Sequence, residues 1–197
     1  MESKQVEELI LQSLEHEIGG VKVYEAALSC VRNPDLKSEW QKYLGETQIH
    51  VKTLTDLCAA LGIDAARETP GRSVVRHVGG ALVEAMTLAL KAGEPAGAEL
   101  VACECVVLAE TKDHLDWQLI GKCGEHADGA TAKALSSAYE AIEDQEDEHL
   151  YHTKGWCREL WLQSLGIPAV LPPPEERRQV KTAIGAAKAE QAAEKER

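Results

Sequence analysis

Nowhere in the 197 residues do two cysteines form a Cys-x-x-Cys pair, which leaves a structural zinc knuckle or a rubredoxin-type iron site without a local signature. The chain has no apolar run of the roughly 18 residues that a membrane span needs. Its opening residues, Met1 to Gln5, lack the basic-then-apolar order of a signal peptide. Basic residues are scarce as well: 21 Lys and Arg stand against 33 Asp and Glu, a formal charge of −12. Such a surface repels phosphate backbones and attracts cations, so nucleic acid and membrane are excluded as expected partners and metal ions are favoured. Together these absences lead us to expect a soluble, cytoplasmic protein. The six cysteines, Cys30, Cys58, Cys103, Cys105, Cys123 and Cys157, then read as reduced thiols, most of them packed in the core.

Phenylalanine is absent, Gly and Pro fall in clusters, and the segments between clusters carry the three-to-four-residue apolar period of helices. Long helices are expected over residues 3–31, 35–61, 96–122 and 131–165, with a shorter one over 73–91. The turn at Asn33-Pro34 and the turn between Gly124 and Gly129 each join two long helices, and the 73–91 segment lies in the connection between the two pairs. This predicts an all-α antiparallel four-helix bundle with one long crossover containing an extra short helix, spanning residues 1–167. After Pro168 the run Pro172-Pro173-Pro174 cannot be helix interior. Residues 168–197 therefore read as a Pro-rich linker and a charged tail, whose only sizeable apolar side chains are Val180 and Ile184, too few to anchor more than a frayed helix.

Charged residues inside apolar stripes are the informative ones, because a bundle helix should bury one continuous apolar face. Glu17 lies among Ile10, Leu14, Val21, Tyr24 and Leu28. His50 lies among Tyr43, Thr47, Leu54 and Cys58, with Glu46 at the stripe edge four residues before it. Glu104 lies among Leu100, Val101, Leu108, Thr111 and Leu115, whereas Glu110 shares a face with Asp113 and reads as solvated. Glu146 and His149, three apart on one helix face, sit on the stripe of Leu135, Tyr139, Ile142, Leu150 and Cys157. Burying several carboxylates together costs several kcal/mol each unless something positive offsets the charge. With almost no Lys or Arg on these stripes, a pair of divalent cations held by Glu17, Glu46, His50, Glu104, Glu146 and His149 is the economical answer, and carboxylate with imidazole suits iron or manganese.

On these residues the chain resembles the ferritin-like di-iron carboxylate superfamily, in which two helices supply a Glu and two supply a Glu-x-x-His. Glu17 followed by Tyr24 looks like the first-helix Glu and Tyr of bacterioferritins and rubrerythrins, and Glu146-x-x-His149 matches the second Glu-x-x-His. Glu46-Thr47-Gln48-Ile49-His50 departs by one residue from the first Glu-x-x-His and is also similar to a segment of the small stress-associated proteins of YciE and YciF type. The resemblance implies two Fe per chain, possibly Mn, and reaction with O2 or H2O2 in iron handling or oxidative-stress defence, with Tyr24 as a hydrogen-bonding or electron-supplying residue. A non-enzymatic metal-binding or interaction module is the alternative. A homo-oligomer, a dimer or larger, is expected.

Overall fold

The computed structural model describes residues 3–197 as an all-helical chain, with no strand among the described residues. The helices are α1 (Ser3–Cys30), α2 (Pro34–Leu61), α3 (Pro70–Lys91), α4 (Pro95–His126), α5 (Gly129–Glu140), α6 (Glu143–Ser164), the single turn α7 (Pro174–Arg177) and α8 (Ala183–Glu196). The α1–α2 corner is local chemistry. Asn33 caps α2 by accepting from the amides of Asp35 and Leu36, and Pro34 opens the first turn. At the other end, Gly62 takes a left-handed φ of 70° and returns its amide to Ala59.

Four columns make the bundle: α1, α2, α4, and α5 continued by α6. Neighbouring columns run antiparallel, because cross-contacts pair rising with falling residue numbers. Tyr24 meets Glu110 while Glu17 meets Trp117, and Lys42 meets Glu148 while His50 meets Gln145. The diagonal columns α2 and α4 are therefore parallel, and the connection carrying α3 spans the distance between them.

The α3 helix is, among the described residues, the one long and apolar enough in mean hydropathy to span a bilayer. The sequence expectation of no such segment rested on unbroken apolar runs, which α3 lacks. In the fold it lies along α1 and α4, with Arg72 and Arg76 both bonded to the buried Glu15 of α1 at 2.7–3.2 Å. These guanidiniums hold the Glu15 carboxyl below its usual range against the opposing effect of burial.

The fourth column differs from the unbroken helix expected over 131–165. It stops at Glu140 and restarts at Glu143, with Ile142 at φ −121°, ψ −32°. The tail also differs from the frayed helix expected of it. Arg158 bonds Glu175 at 2.7 and 3.1 Å, Arg197 reaches Glu159, Trp156 donates its indole N–H to Glu176, and the small residues Ala189 and Ala193 are fully buried. Gly155 makes room for this, since a Cβ there would come within 2.7 Å of Glu175. The anchor is made of ion pairs and alanines, so a count of large apolar side chains passes over it.

The core divides into two apolar blocks. One gathers Tyr24, Trp40, Tyr43, Met86, Val106 and Trp156, and the other Ile10, Leu14, Leu54, Trp117, Ile120 and Leu135. Each fully buried Leu or Ile contributes about 1.5–3 kcal/mol. Between the blocks lies a belt of buried polar residues at bundle mid-height.

Candidate metal centre

Every column contributes to the belt. Glu17 comes from α1, His50 from α2, Glu110 and Asp113 from α4, and Glu146 and His149 from α6, each at most 5% exposed. In α4 and α6 the pair is spaced i, i+3, which stacks both side chains on one helix face. His50 has Thr47, 2% exposed, at the matching position.

Two overlapping groups have donor atoms within 4.8 Å of one another: His50, Glu146 and His149, and Glu17, Asp113 and Glu146. Glu146 belongs to both. The first group offers two imidazole nitrogens and a carboxylate, the second only carboxyl oxygens, so the centre is asymmetric by composition.

The two imidazoles are oriented alike. His50 donates Nε2–H to Gln145 Oε1 at 2.8 Å and turns Nδ1 inward, 2.9 Å from Glu146 and 3.3 Å from Glu17. His149 donates Nε2–H to Glu46 Oε2 at 2.9 Å and turns Nδ1 toward Glu110 and Glu146, at 3.6 and 3.7 Å. An outer acceptor that fixes the tautomer while the other nitrogen faces a cluster of acids is how proteins present histidine to a cation. The carboxylates are steadied similarly: Trp117 Nε1–H donates to Glu17 at 2.8 Å and the Tyr24 hydroxyl donates to Glu110 at 2.8 Å.

The inward atoms are left over. Glu17 Oε2, Glu110 Oε2, Asp113 Oδ1, Glu146 Oε2 and His149 Nδ1 are buried without a hydrogen-bond partner, while His50 Nδ1 and Glu146 Oε1 face each other at 2.9 Å. Native proteins satisfy the large majority of such atoms, so five at one place call for a compensating partner, and carboxylate with imidazole is a donor set that a divalent cation could use. The charges agree. Burial works against a charged His50, but Glu146 and Glu17 outweigh it and push its pKa up to about 11. Burial likewise opposes charge on His149, which Glu110 and Glu46 raise to about 9. Burial, with Glu110 and Glu17 nearby and despite His50, lifts Glu146 to about 7. Asp113 is raised well above the usual carboxyl range by burial and by Glu146, Glu17 and Glu110. Glu110 is held low by His149 and Tyr24, although burial pulls the other way. Protons held on the imidazoles, and protons taken up by Glu146 and Asp113, thus offset part of the belt's negative charge.

The structure brings together Glu17, His50, Glu146 and His149 of the residues predicted from sequence, with Tyr24 at their edge. Glu46 and Glu104 lie outside that group. Glu46 is partly exposed, stands behind His149 and pairs with Lys42 at 3.7 Å, so it orients a ligand candidate instead of joining the cluster. Glu104 faces outward, exposed, and accepts from the Trp161 indole at 3.1 Å. In its place stand Glu110, which the sequence reads as the more solvated carboxylate, and Asp113 on the same face; they are 3% and 5% exposed. The signal for them was present: Cys103, Val106, Glu110, Asp113, Trp117 and Ile120 recur at alternating spacings of three and four. No family model, curated protein or solved structure matches this chain.

Proposed function

We propose that this chain is a ferritin-like dinuclear metal protein that binds Fe(II), or Fe with Mn, and reacts with O2 or H2O2 in iron handling or oxidative-stress defence. The observation that carries this reading is the buried belt of inward donor atoms, five of them without partners, within which two donor groups share Glu146. His50, His149 and Glu110 would serve one cation, Glu17 and Asp113 the other, and Glu146 both. Imidazole with carboxylate and carboxylate alone are donor sets that iron and manganese accept. A redox-active pair, when bound, supplies the electrons that reduce oxygen or peroxide.

The chain's own residues set the conditions. Tyr24, Tyr43 and Trp117 wall the belt off from solvent, and Tyr24 holds Glu110 in place through its hydroxyl. A phenol bonded to a ligand carboxylate is also placed to give up a hydrogen atom, the role proposed for Tyr24. Glu46 and Gln145 hold the two imidazoles in the tautomer that faces inward.

Elemental analysis of protein purified without added metal, followed by anaerobic Fe(II) titration and then oxygen, tests the reading. Two irons per chain and consumption of oxygen are expected. Fewer than two tightly bound irons and no oxygen consumption would overturn it. A non-enzymatic metal-binding module is the second reading, supported by Thr47, which fills the place where a further carboxylate would make the centre symmetric. One tightly bound metal with no consumption of oxygen or peroxide is its signature.

A further inference from the structure

Glu146 is not only the residue shared by both donor groups but also the floor of a small cavity. This cavity, about 50 Å³, lies where α5 stops and α6 restarts, and its walls include His114, Gln118, Glu143 and Asp147. Such a volume admits only a few water-sized groups, so a cation entering it sheds part of its hydration shell. The mouth is acidic in a selective way. Asp144 and Glu148, on the same turns of α6, are paired with Lys181 at 3.1 Å, and Glu148 also with Lys42 at 2.7 Å. Asp147 has only His114, at 3.4 Å, and no Lys or Arg pairs with Glu143 or Asp147 among the described residues. At the inner end, Glu146 is 1% exposed with Oε2 unpartnered.

We propose that the α5–α6 break is the entry site for divalent cations: Glu143, Asp147 and His114 take up a partly dehydrated ion at the surface and pass it to Glu146. The inference rests on the dinuclear reading and adds its loading route. An interrupted fourth column has a physical purpose on this account, since a continuous helix would continue the wall where the cavity now opens. The acidic mouth concentrates cations by its field, an effect worth about 10- to 1,000-fold in association rate and sensitive to salt.

The test is anaerobic stopped-flow mixing of the metal-free full-length chain with Co(II), followed by the visible absorbance of the bound ion. In Glu143→Gln/Asp147→Asn the uptake rate is expected to fall about tenfold or more and to lose much of its salt dependence, with the final stoichiometry unchanged. Gln118→Lys, which places bulk and positive charge at the mouth, is expected to slow uptake as well. Glu84→Gln/Glu190→Gln removes the same net charge from exposed positions elsewhere and is expected to stay within about twofold of the parent. Uptake by the double mouth variant at the parent's rate and salt dependence overturns the entry route and leaves the dinuclear reading standing. If the parent itself binds no Co(II), both fall.

Discussion

Both faces of α4 depart from the usual arrangement. Its inward face carries Glu110, Asp113 and Asp116 beside Trp117 and Ile120, while its outward face carries Leu108, Leu115 and Leu119, each more than 40% exposed. An amphipathic helix normally turns its leucines to the core because that burial dominates folding energy. Here mid-height burial has been given to carboxyls at a cost of several kcal/mol each. A fold keeps such an arrangement when the buried groups have a task that stability alone does not reward.

The contrast is broken most severely at its centre. Glu146→Ala removes the one residue common to both donor groups, and Glu110→Ala removes the carboxylate that holds His149. Each is expected to weaken metal binding at least about 100-fold by isothermal titration, because losing a direct ligand exceeds the 10- to 100-fold usual for an outer partner. Glu46→Ala, which strips His149 of its Nε2 acceptor, should fall in that lower range of about 10- to 100-fold.

Asp113→Leu sharpens the comparison by making the inward face resemble the outward one. It replaces a buried carboxyl with an apolar group of similar size. The metal-free protein should gain about 1–4 kcal/mol in urea unfolding while metal stoichiometry drops by one.

The contrast also depends on pH. Glu146 rises from a usual 4.5 to about 7, His149 from 6.5 to about 9 and His50 from 6.5 to about 11. Groups raised in the folded state stabilise it fully below their unfolded pKa and lose that contribution as pH climbs through the folded one. Metal-free protein should therefore melt at progressively lower temperature from pH 5 to pH 9. Added metal displaces the same protons, so the gap between metal-loaded and metal-free melting temperatures should widen over that interval. A constant gap would show that the belt binds cations without releasing protons. Glu104→Ala, on the outward face, should be the smallest effect, within about 0.5 kcal/mol in stability and unchanged in metal binding.

Which parts of this were legible follows from how many apolar stripes each helix carries. On α1 one stripe dominates, so Glu17 among Ile10, Leu14 and Tyr24 could be placed inward from sequence. The Glu146-x-x-His149 spacing declares a shared face wherever the helix begins. On α4 two stripes compete, and the one with more leucines is the outer, which sent the reading to Glu104 and away from Glu110 and Asp113. On α2 the geometry of the helix circle placed Glu46 at an edge, but whether an edge residue reaches inward or lies behind a neighbour's ring is decided by α6. The docking of residues 174–197 was hidden for another reason. Its partners, Arg158, Glu159 and Trp156, lie on a different helix, and ion pairs between segments leave no periodic trace.

The restart of the fourth column at Glu143 has an electrostatic consequence apart from the opening it creates. It places Glu143, Asp144 and Glu146 in the first turn of a new helix. There the aligned peptide dipoles of α6 present their positive end, which favours an anionic side chain by about 0.3–1 kcal/mol, and by up to about 2 when partly buried. Had α5 run unbroken into α6, Glu146 would sit in a helix interior where that field has faded. The two residues that interrupt the helix thus make ionised Glu146 less costly to keep in the middle of a protein, part of the offset that lets one carboxylate stand between two groups of donors.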